Sequence, residues 1–256
     1  MKESRPDAYG WDTEKSDLDV RRVFFPDIKQ ALSVFYSCKT KQHREKTEAG
    51  IIDFTAYPIQ NFIRLLAKGN GNALDNLFEA TGPPYPKLLI PEMKVAQLQK
   101  LVLENLHQGF LMHCTGYDLH LKKDLENETR LRRYGERKLL LNRYKILLEG
   151  LILAGFRKVV YNLRQQHEFI ETKHCLALLE NYQSGKSIFH KEINVGEVYQ
   201  EVEQLHSQLV EARIQSKWPT QRESTIDINL EHWLVNQYLP NSFSTGEKYD
   251  KKNFKS

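Results

Sequence analysis

The hydrophobic positions of the first 90 residues form short groups that turn residues separate. Residues 20–25 and 51–57 are rich in β-branched and aromatic side chains, and each run stops at a proline. Such runs predict two β-strands. Between them, the pattern predicts a helix over residues 27–36 and a polar, charged loop over residues 39–48.

Helical spacing begins directly after the second predicted strand. Apolar residues recur on one helix face over residues 59–66, and the segment Gly69-Asn70-Gly71-Asn72 then ends the helix. A second, short helix follows from Leu74, with Asn72 as a candidate N-cap. We interpret the glycine- and asparagine-rich segment as a turn between two helices.

The chain beyond residue 90 has helical periodicity almost throughout. Apolar residues recur with i, i+3, i+4, i+7 spacing in residues 93–106, 110–125, 137–153, 195–214 and 228–238. The predicted fold class is α+β, with a small mixed β-sheet region followed by a mostly α-helical region. A Gly- and Pro-rich segment at residues 82–86 marks the expected boundary, which gives regions 1–90 and 91–240 and a flexible tail over 241–256.

The overall composition changes this picture little. The 256 residues carry 37 Lys and Arg against 33 Asp and Glu, a net charge of +4, and 40% of the residues are hydrophobic. These values exclude a mostly disordered chain, and they identify no partner. The three cysteines are too few for a disulfide framework, no stretch reaches the roughly 18 apolar residues of a membrane span, and no secretory signal is recognisable. We therefore expect a cytoplasmic protein with no membrane contact.

The charge is distributed unevenly, and its basic part lies in the helical region. Residues 130–164 contain ten Lys and Arg and two acidic residues, which is +8 against +4 for the whole chain. On a helix, Lys138 and Lys145 share a side away from the apolar stripe, whereas Arg137 lies near the stripe. We interpret these three side chains, together with Arg133, as contacts for phosphate groups or a nucleic-acid backbone. A solvated helix face is the alternative.

Three carboxylates of the front region form a candidate metal site. Asp17 and Asp19 lie two residues apart at the start of the first predicted strand, a spacing that places both on one face. Asp53 lies on the next predicted strand and shares that face if the two strands pair. Since neighbouring carboxylates repel each other unless a cation bridges them, this set favours Mg²⁺, which binds few carboxylates together with substrate phosphates. The alternative is a group of solvent-exposed residues at the start of a strand.

The sequence around these carboxylates resembles a known family. The first matching residues are Ser4-Arg5, Ala8-Tyr9-Gly10, Ser16-Asp17-Leu18-Asp19-Val20-Arg21, Val23-Phe24 and Pro26, and a second match runs from Asp53 through Lys68-Gly69-Asn70 to Leu77-Phe78. The series resembles the DNA polymerase beta-like nucleotidyltransferase superfamily, and more closely its predicted nucleotidyltransferase branch associated with RNA repair. The resemblance extends over about residues 4–215 and is specific in the first 80.

This resemblance implies a reaction and roles for individual residues. Members of the superfamily bind a Mg²⁺–nucleoside triphosphate and transfer a nucleotidyl group to a hydroxyl, which releases pyrophosphate. In that scheme Asp17, Asp19 and Asp53 are the catalytic and metal-binding carboxylates, and an RNA end is a candidate acceptor. The implied nucleotide-binding positions are Ser4, Arg5, Tyr9, Gly10 and Ser16.

The sequence also departs from the family pattern, which leaves a second function open. Glu3 stands where the family has glycine, and Pro6-Asp7 is inserted before the Ala8-Tyr9 step. The alternative is a catalytically decayed nucleotidyltransferase-like protein that acts as a nucleic-acid-binding or interaction module. In the same context, the turn over residues 69–72 could face the nucleotide.

Overall fold

A computed structural model of the chain describes residues 18–27, 29–30, 38–47, 50–79, 92–184, 193–221 and 223–238. The strands of this part are β1 (Leu18–Phe24), β2 (Lys41–Thr47) and β3 (Gly50–Pro58). Its main helices are α1 (Ile59–Ala67), α2 (Gly71–Glu79), α3 (Glu92–Glu104), α4 (Gln108–Glu126), α5 (Glu128–Tyr134), α6 (Glu136–Phe156), α7 (Leu163–Phe169), α8 (Cys175–Gln183), α9 (Val195–Gln215) and α10 (Ile226–Tyr238). The tail predicted over 241–256 lies outside the described residues, as do residues 28 and 31–36 of the helix predicted over 27–36.

The three strands form a mixed sheet in the order β1-β3-β2. Strand β1 pairs parallel with β3, and β2 pairs antiparallel with β3. The predicted α+β class, a small mixed sheet followed by helices, is confirmed. Helix α1 follows β3 directly, because Pro58 ends the strand with a φ of −63° and serves as the N-cap of the helix.

The loop predicted over residues 39–48 is wrong, since residues 41–47 form the edge strand β2. The side chains of residues 41–46 are all exposed, and most are charged. Such a strand lacks the alternation of apolar and polar positions by which strands are recognised. Its charges also protect the open edge of the sheet from pairing with another chain.

A continuous hydrophobic core connects the sheet with the helices. It extends from Val23 on β1 through Phe62 on α1 to Trp233 on α10. Helix α6 lies at its centre and is buried on nearly all sides, and α4 and α9 pack against it. Because α6 has almost no side that faces solvent, most of its charged residues are surrounded by other parts of the protein.

Three helices, α5, α7 and α8, were not predicted from the sequence. They have only seven or nine residues, which is too short for a clear helical period. Their start signals are nevertheless visible in two cases: Oδ1 of Asn127 accepts from the Arg130 N–H at 3.1 Å, and Oδ1 of Asn162 accepts from the Arg164 N–H at 3.0 Å. Asparagine is a preferred N-cap, because its side-chain oxygen accepts from a free backbone N–H of the first turn.

Candidate active site

The parallel pairing of β1 and β3 brings two of the predicted site positions side by side. Asp19 on β1 pairs with Asp53 on β3 in the strand register. Positions that pair directly on neighbouring strands share a face of the sheet. The other predicted positions of the front region lie outside the described residues, namely Ser4, Arg5, Tyr9, Gly10, Ser16 and Asp17.

The Asp53 side chain is accessible at the surface of the sheet. Its Oδ1 lies 3.4 Å from Nε of Arg44, the residue that pairs with it on β2. The side chains of Asp53 and Arg44 are 38% and 58% exposed. An ion pair this exposed contributes about 0–1 kcal/mol to stability. The Asp53 carboxylate is therefore open to a further cation.

The residue types at these paired positions fit Mg²⁺. A protein typically supplies this ion with one or two carboxylates, and water and substrate phosphates complete the coordination. Aspartates occupy both of the directly paired positions, 19 on β1 and 53 on β3. Within the described part of the chain, no three Asp, Glu, His or Cys side chains cluster as a metal site, and Asp53 is the one member of the candidate triad whose side chain belongs to that part.

Arg21, to which sequence reasoning assigned no role, connects strand β1 to helix α2. It lies two positions after Asp19 and so belongs to the same face of the strand. Its Nη1 donates to Oδ1 of Asn76 on α2 at 3.4 Å. This hydrogen bond therefore links the strand that carries Asp19 to helix α2. The sequence signal for this contact is a polar pair, Asp75-Asn76, inside an otherwise apolar run.

The segment Gly69-Asn70-Gly71-Asn72 connects α1 to α2 and packs against α4. Gly69 has a φ of 71°, and a Cβ there would lie 2.6 Å from the backbone of Gly109 and Phe110. A Cβ on Gly71 would lie 2.6 Å from Cδ2 of His113. Both positions require glycine, because α4 leaves no room for a side chain. The predicted turn between two helices is confirmed for Gly69 and Asn70, whereas Gly71 and Asn72 already belong to α2. The predicted N-cap Asn72 is wrong, because Oδ1 of Asn70 accepts from the Ala73 N–H at 3.0 Å and caps the helix instead.

A buried ion cluster joins α2 to α6. The Nζ of Lys145 contacts Oδ2 of Asp75 and lies 2.9 Å from Oε2 of Glu149. The Asp75 and Glu149 side chains are each 1% exposed, and that of Lys145 is 10% exposed. The expectation that Lys145 lies on a solvent-facing side of its helix is therefore wrong. Because α6 is the central helix, this position faces carboxylates of its neighbours and of its own next turn.

The charges of this cluster are balanced internally. Burial, together with the nearby Asp75, raises the pKa of the Glu149 carboxyl to about 8, although Lys145 acts in the opposite direction. Two carboxyl groups thus face one ammonium group, and the raised pKa of Glu149 keeps its carboxyl largely protonated at neutral pH. The cluster has no surplus positive charge for a phosphate, and its role is to hold α2 against α6.

Arg143 forms a second buried cluster, also unpredicted, that joins α4, α6 and α9. Its Nε and Nη2 donate to the two carboxylate oxygens of Asp118 at 2.7 and 3.0 Å, and Nη2 also donates to Oε1 of Glu203 at 2.9 Å. Nδ1 of His206 lies 2.8 Å from Oδ2 of Asp118. Burial opposes the charge of Arg143, but Asp118 and Glu203 outweigh it and raise the pKa of the guanidinium.

The basic stretch over residues 130–164 consequently forms no single surface. Its exposed members lie towards the two ends of α6, with Arg130, Arg132, Arg133 and Lys138 at the first end and Arg157, Lys158 and Arg164 at the second. The 21 residues of α6 separate these ends by about 30 Å. Arg137 is half-buried and donates to Oδ1 of Asn181 at 2.9 Å. Of the four predicted phosphate contacts, Arg133 and Lys138 are thus the exposed ones.

The chain belongs to the RNA repair pathway DNA polymerase beta family, which it matches over residues 2–140, more than half of its length. The matched part contains all three candidate carboxylates, the sheet and the helices up to the start of α6. The resemblance identified from the sequence is thereby confirmed. No curated protein and no solved structure matches the chain. Within the described ranges, no helix combines the length and the apolar character that crossing a membrane requires.

Proposed function

We propose that the chain is a Mg²⁺-dependent nucleotidyltransferase that transfers a nucleotidyl group from a nucleoside triphosphate to a hydroxyl group. The proposed acceptor is the hydroxyl at an RNA end. The observation that carries this proposal is the direct pairing of Asp19 with Asp53 on parallel strands in a chain of this family. The accessibility of the Asp53 carboxylate supports it further, because a ligand of a substrate-bound ion must reach solvent.

In this proposal, the three carboxylates divide the work of the transfer. Asp17, Asp19 and Asp53 would hold the Mg²⁺, and the ion would supply charge neutralisation for the triphosphate. Asp53 accepts the proton of the acceptor hydroxyl, whose oxygen forms a bond to the α-phosphorus. The bond from the α-phosphorus to the bridging oxygen breaks, and pyrophosphate leaves with that electron pair. The proposed nucleotide-binding positions are Ser4, Arg5, Tyr9, Gly10 and Ser16.

The first end of α6 supplies the proposed contacts to RNA phosphates. Arg133 is exposed at the end of α5, and its Cζ lies 5.2 Å from the centroid of the Tyr134 ring. Lys138 is exposed in the first turn of α6, where the helix dipole adds positive potential. Arg137 contributes less to this surface because Asn181 engages its guanidinium.

Removal of single carboxylates tests the proposal. We expect Asp17→Ala and Asp19→Ala to abolish Mg²⁺-dependent transfer from α-labelled nucleoside triphosphates to an RNA oligonucleotide, while the far-ultraviolet circular dichroism spectrum stays unchanged. Glu45→Gln is the matched control, because it removes an exposed carboxylate from the same sheet and should leave transfer intact. Transfer at the normal rate by either aspartate variant contradicts the proposal.

The exposed basic end of α6 favours one second candidate, a non-catalytic nucleic-acid-binding module on the same scaffold. In that case RNA binding persists and weakens with salt, whereas calorimetry detects no binding of Mg²⁺–nucleoside triphosphate. If the unmodified chain binds Mg²⁺–nucleoside triphosphate and Asp19→Ala lowers that affinity, this candidate is contradicted.

A further inference from the structure

The outer face of α4 carries three rings in a row. His113, Tyr117 and His120 follow one another at i, i+4 and i+7, which places them on one face of the helix. The ring planes of His113 and Tyr117 differ by 7° with centroids 6.1 Å apart, and those of Tyr117 and His120 differ by 25° with centroids 6.5 Å apart. We call these three residues the ring strip.

The outer end of the ring strip is accessible to solvent. Tyr117 is 38% exposed, and the side chain of His120 is 62% exposed. Two apolar side chains of the same helix, Met112 and Leu119, are also exposed, but they lie about a third of a turn around the helix from the ring strip. The exposed aromatic rings of the strip form the candidate interaction surface.

The inner end of the ring strip is fixed. The imidazole of His113 packs on Gly71, where a Cβ would lie 2.6 Å from its Cδ2. Burial lowers the pKa of His113, so the ring is neutral at neutral pH. The strip therefore begins with a neutral ring packed against the first residue of α2 and continues outward to the solvent-exposed rings of Tyr117 and His120.

We propose that the ring strip binds single-stranded RNA by stacking its unpaired bases on Tyr117 and His120. Base–aromatic stacking tolerates every sequence, because every base has a π-face. Bases in a duplex are already stacked and paired, so the strip selects unpaired segments.

The choice of RNA over a protein partner rests on the proposed function and on the family of the chain. The inference does not depend on the carboxylates of the sheet. Binding is therefore measured in EDTA without nucleotide, where nucleotidyl transfer cannot take place. Asp19→Ala should bind the RNA as the unmodified chain does, so failure of the strip and failure of the enzymatic proposal give different results.

Fluorescence anisotropy of the full chain with a labelled single-stranded RNA and with its duplex tests the ring strip. We expect Tyr117→Ala to weaken single-strand binding about tenfold, which corresponds to about 1.4 kcal/mol, and to leave duplex binding unchanged. Tyr117→Phe keeps the ring and should bind within about twofold of the unmodified chain. Leu119→Ala is the matched control, because it removes exposed apolar surface from the same helix without removing a ring.

The salt dependence separates stacking from phosphate contact. Tyr117→Ala should lower the affinity equally at all salt concentrations, whereas Lys138→Ala should reduce the slope of affinity against salt by about one unit. The proposal is overturned if the unmodified chain does not bind single strands, if Tyr117→Ala leaves single-strand binding unchanged, or if Tyr117→Ala weakens duplex binding equally. If sedimentation shows that Tyr117→Ala changes self-association while RNA binding stays the same, the strip is a protein contact, and the proposal is also overturned.

Discussion

The carboxylates of the sheet and those of the helices are held in opposite ways. Asp53 is 38% exposed, and it pairs across the sheet with an arginine that is itself exposed. Asp75, Asp118 and Glu149 are buried, and each contacts a buried Lys145 or Arg143. The helices thus pair these three acidic groups with buried cations, whereas the sheet leaves the Asp53 carboxylate exposed to solvent.

This difference separates charge that maintains the fold from charge that is available for chemistry. A buried ion pair compensates a large desolvation cost, and removal of one partner leaves the other uncompensated. An exposed pair gains little from its contact and loses little without it. Substitution of a buried helix carboxylate should therefore lower the free energy of unfolding. Substitution of the sheet carboxylate Asp53 should instead lower activity and leave the free energy of unfolding nearly unchanged.

The largest expected effect is the loss of Asp118. Asp118→Asn removes the buried one of the two carboxylates that Arg143 contacts and should lower the free energy of unfolding by about 3 kcal/mol, because the half-exposed Glu203 compensates the buried guanidinium only in part. This change in the free energy of unfolding is measured by denaturant unfolding with circular dichroism as the signal. Glu128→Gln is the matched control, since it breaks an ion pair with Arg132 in which both side chains are 77% exposed. An equal effect of both substitutions contradicts the comparison.

A smaller effect concerns the pH dependence that Glu149 contributes. Its folded-state pKa of about 8 lies above the usual carboxyl value of about 4.3, so the folded chain binds a proton that the unfolded chain has released between these values. Stability from this group is present below about 4.3 and is lost as the pH rises towards 8. The unfolding free energy of the unmodified chain minus that of Glu149→Gln should therefore fall by at most about 1.4 kcal/mol per pH unit.

Denaturant unfolding of both chains over this pH range measures the difference. Glu128→Gln serves again as the control, and its curve should run parallel to that of the unmodified chain. If the Glu149→Gln curve also runs parallel to that of the unmodified chain, the buried cluster does not hold a proton on Glu149 in the folded state.

The sequence predicted the sheet carboxylates more completely than the helix carboxylates, for a physical reason. Two β-prone runs, each stopped by a proline, placed Asp19 and Asp53 on strands, and the alternation of side chains gave them a common face if the strands pair. That pairing itself depends on the intervening chain and had to be assumed. Strand β2 escaped prediction because its exposed charges do not alternate with apolar residues.

The buried clusters escaped prediction because their partners are distant in sequence. Helical periodicity assigns a residue to one side of its own helix, but it does not tell what packs against that side. Lys145 meets Asp75 from 70 residues earlier, and Arg143 meets Glu203 from 60 residues later. The basic composition of residues 130–164 therefore suggested a binding surface, whereas its two central cations are packed against carboxylates of other helices.

The smallest expected effect on stability is that of Asp53. Asp53→Asn removes only an exposed pair with Arg44 and should change the free energy of unfolding by no more than about 0.5 kcal/mol. The same substitution should lower nucleotidyl transfer at least about a hundredfold, because it removes the proposed proton acceptor. Glu45→Gln, on the same sheet, should change neither quantity. A large loss of stability with Asp53→Asn would place this carboxylate with the buried ones of the helices and would remove the distinction between fold-maintaining and reactive charge.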